Sequence, residues 1–82
     1  MVTESVGKYR VGITFNPSNS ALVNEIKEKS AELIDLCERM KANAWGEKIR
    51  LIALAQTHYE DAAMWAVKAA TKTAQPDNIP GQ

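Results

Sequence analysis

Apolar residues recur at steps of three and four along the middle of the chain, which is the spacing of one helix face. After Pro17 the chain runs to about Lys41 without glycine or proline, and Ser18, Asn19 and Ser20 are each suitable N-caps. We therefore predict a long helix here. Its inner stripe is predicted to consist of Val23, Ile26, Ser30, Leu33, Cys37 and Met40, widened by Leu22, Ile34 and Leu36.

A second long helix is predicted from Glu47 to about Thr73, after the turn sequence KANAWG, in which Asn43 and Gly46 suit a C-cap or loop. Its apolar positions form two adjacent stripes. One consists of Ile52, Ala55, Tyr59, Ala62, Ala66 and Ala69, and the other of Leu51, Leu54, Ala55, His58, Ala62 and Trp65. One partner helix cannot cover both stripes, so we expect an antiparallel hairpin that packs against further helices.

The stretch GKYRVGITF, residues 7 to 15, has a different pattern. Its larger side chains alternate with polar residues or glycine, a period of two that is typical of an extended segment. A single strand needs a neighbour, so we expect this arm to lie on another element, such as one from a second subunit. The predicted fold is therefore all-α, an antiparallel hairpin of two long helices with a short N-terminal arm, assembling as a homo-oligomer. Its predicted parts are the arm at 1–17, the hairpin at 18–73 and a disordered tail at 74–82.

Composition narrows the class of protein. The 82 residues suffice for one small domain, and with 45% hydrophobic but 6% aromatic residues its core depends on small aliphatic side chains. Ten basic and ten acidic residues give a formal net charge of zero, whereas a protein that coats nucleic acid usually has a basic excess. A few cations can still converge on a small anion. A single cysteine, Cys37, excludes an internal disulfide framework and a Cys-rich zinc site.

Neither membrane insertion nor catalysis is predicted. No apolar run reaches membrane-spanning length and no signal-peptide segment is present, so we expect a soluble intracellular protein. The single histidine, His58, stands near Glu60 and Asp61, but adjacent helical positions point in different directions. The sequence contains no HExxH, CxxC, GxSxG or P-loop motif. We interpret His58 as partly packed in the hairpin and expect no enzyme activity, metal or cofactor.

The stretch TFNPSNSALVNEIKEKS, residues 14 to 30, combines groups that suit a nucleotide. Phe15 can stack on a base, as Tyr9 also can, and Asn16 can hydrogen-bond a base edge or ribose. The start of the following helix can bind an anion. Further along that helix stand Lys27, Lys29 and Ser30.

These groups do not obviously meet within one chain. Lys27 lies about 10 Å along the helix axis from Ser20. They can converge if the arm of one subunit reaches the helix of another. The alternative interpretation is an ordinary capped helix in which Phe15 forms a hydrophobic staple.

Two stretches, FNPSNSALVNEIKEKSAELIDL and RLIALAQTHYEDAAMWAVKAATK, resemble a family of small phage proteins. These are the anti-CBASS cyclic-oligonucleotide sponges, which are built on a helical hairpin. The likeness covers residues 9 to 73, and its most specific part is ALAQTHYEDAAMWAVKAATK.

The resemblance implies a binding protein with a counter-defence function. Bacteria with the CBASS defence make cyclic di- or trinucleotides after infection, and these messengers activate a cell-killing effector. The phage protein sequesters the messenger without cleaving it, in the cytoplasm of the infected host. Members of the family form hexamers and hold cyclic dinucleotides, such as 3',3'-cGAMP, between protomers. Some also hold cyclic trinucleotides at separate sites.

The resemblance also implies roles for particular residues. In the dinucleotide pocket, an aromatic residue of the arm stacks on a base, and a lysine of the first helix lies near the phosphates. Phe15 or Tyr9 matches the aromatic residue, and Lys27 or Lys29 the lysine. The trinucleotide site is implied to contain Asn16, Ser30 and Arg50, with Ser30 where other members can have threonine.

Two other functions stay open on the sequence. A helical hairpin of phage origin with a wide apolar face can be a protein–protein interaction module, which would ignore cyclic nucleotides and copurify with a host protein. A phosphodiesterase with His58 as its base would release a linear product instead of the intact messenger.

Overall fold

The computed structural model describes residues 4–73, which contain three α-helices and one short 3₁₀ helix and no strand. The helices are α1 (Val6–Val11), α2 (Ala21–Met40) and α3 (Gly46–Thr71), and the 3₁₀ helix (Lys41–Asn43) follows α2 directly. The all-helical hairpin of α2 and α3 is confirmed, with bounds close to those predicted. The tail predicted to be disordered, 74–82, lies outside the described residues.

The prediction of an extended N-terminal arm was wrong, because residues 6–11 are helical. The Ser5 hydroxyl accepts a hydrogen bond from the Lys8 N–H at 3.1 Å and caps the helix. Gly12, with φ of 64°, ends it in the left-handed conformation that glycine adopts readily. In a segment this short, alternation and one helical turn give similar patterns, and the capping residues decided between them.

Helix α1 packs on α2 of its own chain. Gly7 is buried there, and its N–H donates to the Asp35 carboxylate at 2.6 Å. At the other side of α1, Arg10 Nε lies 2.6 Å from Glu60 Oε1 of α3. The short helix is thus joined to both arms of the hairpin, and it fixes where the loop after it begins.

The ends of α2 and α3 follow from local residues. Of the three candidate caps, Ser20 is the N-cap of α2, where its hydroxyl accepts from the Val23 N–H. Asn19 before it has a positive φ of 54°, a conformation that asparagine tolerates. Gly46, with φ of 48°, allows the chain to turn into α3.

The core lies between the facing sides of α2 and α3. Its buried apolar side chains are Val23, Ala31, Ile34, Cys37, Ile52 and Ala63. Two polar side chains are buried among them, Lys27 and Gln56. Gln56 is 1% exposed and donates to the Ile34 carbonyl at 3.1 Å and to Glu38 Oε1 at 2.9 Å. A buried amide bonded in this way fixes the register of the two helices.

The inner face of α2 is rotated from the predicted one. Val23, Ile34 and Cys37 are buried as expected, but Lys27 and Ala31 complete the stripe. Four predicted members are between 41% and 54% exposed: Leu22, Leu33, Leu36 and Met40. Ala31 is buried, and its backbone carbonyl group is what Gly7 of α1 closely approaches.

Helix α3 also has an exposed apolar surface, which we call the outer face of α3. It consists of Leu51, Leu54, His58, Ala62 and Trp65. These residues belong to the second stripe predicted from the sequence, and no helix among residues 4–73 covers them. His58 is exposed on this face, so its predicted packing inside the hairpin was wrong. In the part of the chain described, no helix combines the length and apolar character needed to cross a membrane.

Candidate functional site

The loop between α1 and α2 is held in place by a buried lysine. Lys27 is 6% exposed, and its ammonium donates to the carbonyls of Gly12, at 2.9 Å, and of Phe15. The same ammonium lies 5.4 Å from the centroid of the Phe15 ring, within the range of a cation–π contact. A buried ammonium needs such partners, so the loop and Lys27 stabilise each other.

Phe15 stands between two grooves. Its side chain remains 71% exposed, because the loop fixes its backbone and leaves most of the ring uncovered. One groove, of about 250 Å³, is also lined by Arg10, Glu60 and Met64. The other, of about 230 Å³, is also lined by Asn16 and Thr71. Lys27 and Val67 border both grooves, which gives each a cation and an apolar wall beside the aromatic ring.

Asn16 is part of the loop's own hydrogen-bond network. Its Nδ2 donates to the Ser20 carbonyl and to Asn24 Oδ1, both at 2.9 Å. Its Oδ1 accepts from the Ser18 hydroxyl at 2.7 Å. The side-chain amide therefore closes the turn before α2, and one lone pair of its oxygen remains for a further donor.

Arg10 borders the candidate site, although the sequence did not point to it. Its side chain is 26% exposed and borders the larger groove together with its ion-pair partner Glu60. The two residues are 50 positions apart. The chain pattern around Arg10 suggested an extended segment, and nothing local links it to α3. Only the packing of α1 against α3 brings it to Phe15.

The remaining predicted site residues lie away from these grooves. Tyr9 is 75% exposed on α1, and Lys29 is exposed with its ammonium 4.0 Å from Glu25. Ser30 is half-buried on α2. The structure thus brings Phe15, Asn16 and Lys27 together, and it does not bring the other four to them within one chain.

Arg50 lies near the opposite end of the hairpin. It is about 25 Å along the axis of α3 from Val67, at 1.5 Å per residue. Its Nε donates to Glu47 Oε1 at 2.8 Å, and this hydrogen bond lowers the pKa of Glu47. Both side chains are exposed. Within residues 4–73, no group of histidine, cysteine and carboxylate side chains is arranged to hold a metal ion.

One family of known proteins matches most of this chain. No curated protein and no solved structure matches the chain significantly. The model of the Acb2/Tad1 hairpin domain matches residues 8–71, which include all three helices except the start of α1 and contain Phe15, Lys27 and both grooves. The chain therefore belongs to the Acb2/Tad1 hairpin family, the family of anti-CBASS sponges that the sequence predicts.

Proposed function

We propose that this protein binds cyclic dinucleotides such as 3',3'-cGAMP in the cytoplasm of an infected bacterium and holds them without cleavage. Its family implies binding of cyclic oligonucleotides. Sequestration lowers the free messenger concentration, so CBASS effectors stay inactive. The observation that carries the proposal is the position of Phe15, an exposed ring with a groove on each side and a cation behind it.

Phe15 is the residue that stacks on a base in this proposal. An aromatic ring that is exposed to water does not gain the hydrophobic stabilisation that burial provides. Here a bound base restores that burial, and stacking of this kind contributes about 1–3 kcal/mol per base. Tyr9 is more exposed but borders neither groove. Phe15 is therefore the better of the two candidates.

Lys27, not Lys29, is the lysine of this site. An ammonium has three N–H donors, and the carbonyls of Gly12 and Phe15 accept two of them. One donor and the positive charge remain available at the border of both grooves. Lys29 borders neither groove and lies near Glu25 on the surface.

Intact release of the ligand is supported by the position of His58. This histidine belongs to the outer face of α3, whereas the grooves use Glu60, Ala63 and Val67 of the same helix. At 100° per residue these groups point in different directions. A ligand that lies against Phe15 in this chain does not meet the imidazole.

The proposed function also includes self-association of the chain. The outer face of α3 is apolar and exposed, which favours self-association. We propose a homohexamer, as the family resemblance implies. Asn16 and Arg50 lie near opposite ends of one hairpin, so a cyclic trinucleotide site that includes Asn16, Ser30 and Arg50 would form between protomers.

The proposal is tested with Phe15→Ala. We expect a loss of on the order of tenfold to a hundredfold in affinity for 3',3'-cGAMP, because one stacked base loses its platform. Isothermal titration calorimetry measures the affinity, and circular dichroism checks the fold. The matched control is Trp45→Ala, since Trp45 is 74% exposed at the far end of the hairpin and borders neither groove.

The fate of the ligand is measured in the same samples. The complex is denatured, and the released nucleotide is analysed by chromatography. Recovery of the intact cyclic form supports sequestration, and a linear product would contradict it. If the unmodified protein binds no cyclic di- or trinucleotide, the proposed function is wrong and a protein–protein interaction module is the remaining interpretation.

A further inference from the structure

We infer that the terminal nitrogens of Arg10 form a phosphodiester-binding subsite in the larger groove beside Phe15. This inference rests on the proposed function, and it assigns the phosphate contact to a residue outside the set predicted from the sequence. Three observations support it. Arg10 uses only part of its guanidinium for a hydrogen bond, Glu60 holds that side chain at the groove, and two of the three N–H donors of Lys27 are bonded to the loop.

Arg10 uses one part of its guanidinium and leaves the other part open. Its Nε donates to Glu60 Oε1 at 2.6 Å. Within residues 4–73, its two terminal nitrogens have no hydrogen-bond partner. A guanidinium has five N–H donors in a planar fork, and the edge formed by the terminal nitrogens suits two oxygens of one phosphate.

Glu60 holds this fork at the groove. An arginine side chain on the surface samples many rotamers, and ordering it opposes binding. The hydrogen bond from Nε restricts those rotamers before a ligand arrives. Arg10 and Glu60 side chains are 26% and 35% exposed, so the pair is partly shielded from water and the groove remains open to a ligand.

The groove that Arg10 and Phe15 share suits a nucleotide. Arg10 and Phe15 border the same groove of about 250 Å³, with Met64 and Val67 as its apolar wall. A base on Phe15 and a phosphate on Arg10 would occupy adjacent parts of one concavity. Lys27 also borders it, but two of its three donors are bonded to the loop. Arg10 therefore offers the larger number of available donors.

The test compares Arg10→Gln with Glu60→Gln in calorimetric titrations with 3',3'-cGAMP. Arg10→Gln removes the fork, and we expect affinity to fall on the order of tenfold to a hundredfold. Glu60→Gln keeps an oxygen that accepts from Arg10 Nε and removes a negative charge near the phosphate. Because the repulsion between this carboxylate and a bound phosphate is removed, we expect it to bind several times more tightly than the unmodified protein.

This pair of variants separates ligand contact from structural support. If the ion pair only holds α1 against α3, both substitutions weaken binding to a similar extent, and the inference is wrong. Arg39→Gln is the charge control, because Arg39 is exposed near the end of α2 and borders neither groove. It should bind like the unmodified protein.

Two further outcomes are decisive. Unchanged affinity of a folded Arg10→Gln protein, alongside weak binding by Phe15→Ala, would overturn the inference and leave the proposed function standing. Absence of binding by the unmodified protein would overturn both. If Arg10→Gln does not fold, Arg10→Lys is tested in its place, because it keeps the positive charge and removes the planar fork. We expect its affinity for 3',3'-cGAMP to fall several-fold, and an unchanged affinity would contradict the inference.

Discussion

At the scale of single residues, Gly7 determines how closely α1 approaches α2. Its N–H reaches the Asp35 carboxylate at 2.6 Å, and a Cβ on this residue would lie 2.8 Å from the Ala31 carbonyl carbon and closer still to its oxygen. No side chain larger than a hydrogen atom fits there, because the neighbouring atoms belong to the α2 backbone. The position of α1 in turn sets those of Arg10 and the Phe15 loop.

Gly7→Ala is therefore predicted to destabilise the protein by about 1–3 kcal/mol, the usual range for overpacking a tight contact. Displacement of α1 should also weaken cyclic dinucleotide binding. Urea unfolding followed by circular dichroism measures the first effect, and calorimetry the second.

Gly46→Ala is the control for this change. A Cβ at Gly46 meets nothing within 4 Å, but its φ of 48° makes alanine unfavourable by about 1–2 kcal/mol. It should lose stability and keep its ligand affinity. If Gly7→Ala also keeps its affinity, α1 does not position the site.

At the scale of elements, the buried Gln56 joins α3 to the end of α2. Its hydrogen bond to Glu38, followed by that from Lys41, lowers the pKa of the Glu38 carboxyl. The ionised carboxylate is thus favoured in the folded protein. Its contribution to stability is present above the usual glutamate pKa of about 4.3, and it is lost as pH falls through the lowered value.

We predict that the melting temperature decreases as pH falls below about 4.3, and that part of this decrease depends on Glu38. Glu38→Gln removes the titrating group, so its melting temperature should fall less over the same range. Gln56→Met removes the main donor and should have a similar effect on the pH dependence. Thermal unfolding at a series of pH values checks this. Equal slopes for all three proteins would exclude the Glu38 contribution.

At the scale of the whole molecule, residues 4–73 form a thin layer of helices. Its shortest principal dimension is 14 Å, and among residues 4–73 six apolar side chains are buried. A small domain with so few buried groups gains stability from association. The outer face of α3, with Leu51, Leu54 and Trp65, is the surface that another copy can cover.

Leu54→Lys, on that face, is predicted to reduce the proposed oligomer to smaller species. A lysine buried between protomers would lose its hydration without a partner. Size-exclusion chromatography with light scattering measures the mass. Ala53→Lys adds the same charge at an exposed position on a different side of α3 and should keep the mass of the unmodified protein. A monomeric unmodified protein would contradict the proposed assembly.

The sequence by itself determined the two long helices, because their spacing, caps and breakers act over a few residues. It also proposed Phe15, Asn16 and Lys27, together with the alternatives Tyr9 and Lys29, as candidate binding residues, since an aromatic ring, an amide and an ammonium have the same chemistry wherever they lie. It misassigned α1, because six residues carry too little periodicity to distinguish a turn of helix from alternation.

The tertiary structure decided which groups meet. The hydrophobic pattern predicted that Leu33 and Met40 lie in the core. In the structure another side of α2 faces inward, because α1 packs on Ala31 and Lys27 binds the carbonyls of the loop. Arg10 and Glu60, separated by 50 positions, form one side of the site through the packing of α1 against α3. Contacts between distant residues depend on how whole elements pack, and local spacing does not contain that information.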